Sequence, residues 1–164
     1  TIVADINEFG KAYTAYYLDT GSNMRMNVSS NNIKIRPVTE ELVYSTMPGW
    51  KGPYTSYSDN GSLDDGYLIH RKFGTTSIHY FLMNNSVWGG TNTPGIPEEC
   101  VSSQECQVWV VLHELDPYLA DGIEKHFDGV IDYESGNVRV VTTDQAGDGK
   151  YSTVGVKQFS FIKP

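Results

Sequence analysis

The sequence predicts an α+β fold, one long amphipathic helix followed by an antiparallel sheet. Three observations carry this. Ile2, Ile6, Phe9, Tyr13 and Tyr16 recur at intervals of four, three, four and three, which lines one face of a helix. The second half of the chain holds short apolar runs separated by Gly-, Asn- and Ser-rich turns, the pattern of strands. A second helix is opened by Asp116-Pro117, and the outline of one long helix followed by an antiparallel sheet is that of the α+β class.

The opening stripe leaves Asp5, Glu8 and Lys11 on the other faces, and Asp19-Thr20-Gly21-Ser22 ends the helix. Gly10 lies inside it and weakens it by roughly 1 kcal/mol relative to Ala, yet the stripe continues past it. No N-cap is expected before Thr1-Ile2, and the helix is expected to begin upstream of them. Residues 27–37 read as irregular. Thr39 is expected to cap a short helix over 38–44, with Leu42, Val43 and Tyr44 facing inward. In Pro48-Gly49-Trp50-Lys51-Gly52-Pro53-Tyr54 the prolines fix φ, the glycines permit tight bends and the two rings can anchor the segment to the core.

Residues 66–73 and 78–83 flank Gly74-Thr75-Thr76-Ser77 and read as a hairpin. A long loop, 84–107, carries both cysteines and is followed by a buried strand over 107–112. The helix after Asp116-Pro117 has a stripe of Leu119, Ile123 and Phe127. Glu134-Ser135-Gly136-Asn137 is a turn, and Val138, Val140, Val154, Val156 and Phe159 to Ile162 belong to closing strands. With 164 residues, no repeat and no linker, residues 1–164 are expected to form one domain.

Composition narrows the partners. Twenty acidic residues against twelve basic ones give a net charge of −8, and the basic residues are scattered, so nucleic acid is a poor partner. The longest apolar run, Val108 to Leu112, is far short of the ~20 residues a membrane helix requires. Cys100 and Cys106 are spaced too widely for a C-x-x-C redox pair, and no further Cys or His follows at zinc-site spacing. A structural disulfide is the expectation. It would place the chain in an oxidising compartment, periplasm, cell surface or medium.

The helical start, the string Gly49-Trp50-Lys51-Gly52-Pro53-Tyr54 and the closing strands together resemble the soluble head of a type IV pilin or type II secretion pseudopilin. The stretch from Leu115-Asp116-Pro117-Tyr118-Leu119-Ala120 through Ile131-Asp132-Tyr133-Glu134-Ser135-Gly136-Asn137-Val138-Arg139 is similar to minor pilins, where a short helix precedes an acidic turn and a strand. The resemblance implies a pilin-like head in which residues 1–19 are the C-terminal half of a spine helix. It also implies a hydrophobic N-terminal helix that anchors the precursor in the inner membrane and later enters a filament. The partners would be other pilin or pseudopilin subunits, and the location the periplasm or cell surface. The alternative reading is an adhesive or ligand-binding module of a cell-surface filament.

Site candidates are few. Asp144 and Asp148 flank a Gly-rich loop, and the resemblance implies calcium there, since major pseudopilins bind calcium in a late loop. Residues 59–66 have a similar composition but lack the twelfth-position Glu of an EF-hand. Trp88, in the long loop, is split between packing and surface recognition. Tyr54, Tyr57 and Tyr67 are further rings near loops that could stack on a sugar or partner. His70, His79, His113 and His126 fall on separate elements and read as ordinary histidines. G-x-S-x-G, G-x-x-x-x-G-K-[ST] and H-E-x-x-H do not occur, so no catalytic residues, no cofactor and no enzymatic role are expected.

Overall fold

The opening stripe folds as α1, Ile2–Thr20, and its five residues Ile2, Ile6, Phe9, Tyr13 and Tyr16 are all buried. This computed structural model describes residues 1–27, 36–59, 66–84, 88–91 and 100–163. At the first residue, Thr1 Oγ1 accepts from the Ala4 N–H at 3.3 Å. Gly21, at φ +67°, closes the other end, its N–H donating to the Tyr17 carbonyl. Gly10 has a packing reason, because the Gln158 side chain lies where its Cβ would be.

The chain then forms a six-stranded antiparallel sheet in the order β1-β2-β3-β4-β6-β5. The strands are β1 Ser58–Asp59, β2 Leu68–Ile69, β3 Ser77–Met83, β4 Glu105–Leu115, β5 Val138–Val141 and β6 Tyr151–Ile162. The expected hairpin is β2 and β3, with Leu68 opposite Ile78. β4 and β6 are longer than their apolar runs because each is held by ladder pairs well beyond them, from Glu105↔Ile162 to Leu115↔Tyr151. Their register shifts at Val108/Trp109, which leaves Gln158 as the extra residue of a bulge beside α1.

Strand alternation divides the core into two layers. Ile78, Tyr80, Leu82, Val108, Val110, Leu112, Val138, Val140, Val154 and Val156 join the α1 stripe in the main core. Phe81, Met83, Trp109, Val111 and Val141 form a smaller core with Trp88. The observed architecture is therefore α+β, with the N-terminal helix on one face of an antiparallel sheet.

The second helix, α2, Pro117–Phe127, is capped by Asp116, whose carboxylate accepts from the Tyr118 N–H at 2.8 Å. Its buried side is Ala120, Ile123 and Glu124, with Leu119 and Phe127 half-buried, so the inward face is rotated from the expected stripe. The short helix is a 3₁₀ turn, Thr39–Leu42. Val38, not Thr39, stands at its cap position, without a side-chain bond, and Thr39 donates instead to the Pro37 carbonyl at 3.3 Å. Leu42 faces inward but Tyr44 is exposed.

Candidate functional site

Three polar anchors along α1 fix it to the rest of the chain. Near its start the buried Asp5 carboxylate pairs with His70 Nε2 at 3.1 Å and Lys72 Nζ at 3.2 Å. Burial raises the Asp5 pKa, but the His70 and Lys72 contacts outweigh it and hold the group below the usual carboxylate range. In the upper half, Tyr16 donates its hydroxyl proton to the buried Glu41, which also pairs with Arg25. At the end, Asp19 accepts from Lys51 Nζ at 3.1 Å and from the Tyr54 hydroxyl at 2.9 Å.

The third anchor belongs to the Gly49–Tyr54 string. Trp50 Nε1 donates to the Glu41 carbonyl at 2.8 Å, and the Tyr54 N–H donates to the Leu42 carbonyl at 2.8 Å. Tyr54 stands edge-on to both Trp50 and Tyr16, at 5.9 and 6.0 Å between centroids. Local chain stiffness and two aromatic anchors thus fasten this segment across the C-terminal end of α1.

The sequence candidates fall in separate places. Cys100 and Cys106 are joined in a disulfide with Cα atoms 5.5 Å apart, and both are buried. The Cys100 carbonyl also accepts from Lys163 Nζ at 3.0 Å, tying the loop to the end of β6.

Trp88 is 1% exposed and sits edge-on to Phe81 and Trp109, at 5.9 and 5.4 Å. A Cβ on Gly155 of β6 would lie 2.5 Å from its ring, so the indole lies directly on the strand backbone. The surface-recognition reading of Trp88 is corrected accordingly: this ring packs. Residues 85–87 and 92–99 of its loop lie outside the described residues, as do 60–65 of the other Asp-rich stretch.

Asp144 and Asp148 are exposed, and their oxygens are already engaged. Asp144 accepts from the backbone N–H groups of Gly147, Asp148 and Gly149 at 2.6, 3.1 and 2.7 Å. Asp148 pairs with Lys150 Nζ at 3.0 Å, and that contact holds its carboxyl below the usual range. A calcium ion would have to displace these partners. Among the described residues, no group of three or more His, Cys, Asp or Glu side chains is gathered to hold a metal ion.

The fold also makes contacts that the sequence reading missed. His70 joins Asp5 on one side and Thr75 on the other. This chain of Asp, His and Thr has the connectivity of a nucleophile system, but Thr75 is 4% exposed and its Oγ1 donates within the turn, 2.9 Å from the His70 carbonyl and 2.8 Å from that of Lys72. Its chemistry is that of a turn clamp, joining 70–75 to α1. His79 and His113 meet through their Nε2 atoms at 2.8 Å. Neither pairing had a sequence signal, since the partners are 65 and 34 residues apart.

Set against known protein families, curated proteins and solved structures, the chain matches none of them.

Proposed function

We propose that this chain is the globular head of a filament subunit of the type IV pilin or type II secretion pseudopilin kind, with α1 as the lower part of a longer spine. The supporting observation is the way α1 is held. One face is buried along the antiparallel sheet, and its C-terminal end is held through Asp19 by Lys51 and Tyr54. A helix secured near its start and over its last turns transmits force to the sheet as one body, which a subunit pulled through its helix requires.

The role is structural, and the partners are further subunits of the same kind, joined through a helical segment preceding Thr1. The disulfide supports a periplasmic or cell-surface location, because such bonds persist in oxidising compartments. The adhesive alternative loses its main support with Trp88 in the core. Reading the coding sequence upstream of Thr1 tests the proposal. A short leader followed by an apolar run of ~20 residues is expected. A start codon immediately upstream, or a different folded domain there, would refute it.

A further inference from the structure

His79 on β3 and His113 on β4 occupy the same face of the sheet as diagonal neighbours, His79 being paired with Val111. Their rings are 10° from parallel, with centroids 4.9 Å apart, and they meet through Nε2 atoms 2.8 Å apart. The outer nitrogens are both committed. His79 Nδ1 lies 3.0 Å from the Tyr80 carbonyl and His113 Nδ1 lies 2.9 Å from the Ser152 carbonyl.

Counting protons shows what this arrangement lacks. A carbonyl oxygen can only accept, so each Nδ1 contact needs an N–H, and the Nε2 contact needs a third. Two neutral imidazoles carry two protons between them. With one added proton all three contacts become N–H bonds, and one of them is charge-assisted. Without it, one contact sets two lone pairs against each other. The Thr153 hydroxyl, 3.3 Å from His113 Nδ1, can donate there in the neutral form, but the Ser152 carbonyl then faces that nitrogen without a proton.

The surroundings set when the proton enters. Tyr67, from the segment before β2, covers both rings at 4.6 and 5.7 Å, and the Arg36 guanidinium lies 4.6 Å from the centroid of the Tyr67 ring. From the sheet the pair meets Phe81 of β3 and Val111 of β4, and from β6 the neutral Ser152 and Thr153. Among the described residues, Arg36 is the fixed charge that bears on the pair, and it repels a cation there. Burial, with the neighbouring charge adding to it, pushes both imidazoles below the ordinary histidine range.

We propose that His79 and His113 form one acid-sensing proton site, which takes up a single proton between the two Nε2 atoms and so completes the three N–H contacts. A second proton would set two like charges at this distance in a buried place. Its uptake therefore requires the rings to part, and Tyr67, which lies over both, to lift. Tyr67 is suited to this, because it adjoins β2, a strand of two residues.

Nitrogen-detected titration of the imidazoles in the intact protein tests the proposal without any substitution. From pH 8 downward, the Nε2 signals of His79 and His113 should move together in one transition below the ordinary histidine range, both Nδ1 atoms staying protonated. A difference titration against a His79→Gln, His113→Gln variant should count about one proton over that transition. Separate transitions at ordinary histidine values would overturn the proposal, as would rings protonated on Nε2 at neutral pH. So would acid unfolding with no uptake before it.

Discussion

Glu124 is 0% exposed on the inner side of α2. Burial pushes its pKa up to about 7, and the charges of Asp128 and Asp132 add to that, while the Asp132 backbone and Arg139 act the other way. The native state therefore favours the neutral acid, whereas an unfolded Glu titrates near ~4.3. This contribution to stability is fully present below about pH 4 and is lost as pH rises to about 7. Glu124→Gln should be more stable than wild type at pH 8, on the order of 2 kcal/mol, with the gap closing toward pH 4. Denaturant unfolding at the two pH values measures it, and a constant difference would contradict the assignment. His113 has the opposite sign: burial holds it low, so its contribution is present above the ordinary histidine value and is lost as pH falls toward about 4, and buried His79 is shifted in the same direction. Neither feature was legible in the sequence. Glu124 follows Ile123 on a helix whose inward side is visible only once α2 meets β5 and β6, and the histidines meet only through a strand register that residue order does not encode.

At the scale of elements, α1 was the most legible, because five large apolar residues at helical spacing can be buried together in only one regular structure. Phe9 is central to that face, stacked on Tyr80 at 4.5 Å and edge-on to Tyr57 at 5.8 Å. Phe9→Ala should cost about 3–5 kcal/mol, read as a fall in the unfolding midpoint. A change within error would mean that α1 does not share the core of the sheet. The disulfide closes a short loop with a sequence separation of 6, so replacing both Cys100 and Cys106 by Ser should cost about 2 kcal/mol in the chain-entropy account. Calorimetry of the double variant checks this, and an unchanged melting temperature would sink it. What sequence reading missed was where elements end and which way rings turn. β4 and β6 extend each other by pairing, and Trp88, in a Gly-rich stretch that reads as surface loop, is drawn inward by Trp109 and the bare backbone at Gly155. The acidic loop at 144–149 was visible in composition, but not the backbone N–H groups that occupy Asp144.

For the whole molecule, the order of parts matters more than any one of them. A helix comes first, the Trp50–Tyr54 segment clamps its far end, and an antiparallel sheet then covers its apolar face. α+β order was therefore readable from the chain, while the division of the sheet into two apolar layers required its register. In the filament proposed above, the sheet would be a load carried on α1 and borne into a polymer. Immunogold electron microscopy of the native cells, with antibody raised against residues 1–164, tests that claim most directly. The account predicts gold along filaments, at the surface or in a periplasm-spanning bundle, and loss of that labelling when the gene is deleted. Gold confined to dispersed single molecules, with filaments unlabelled, would contradict it.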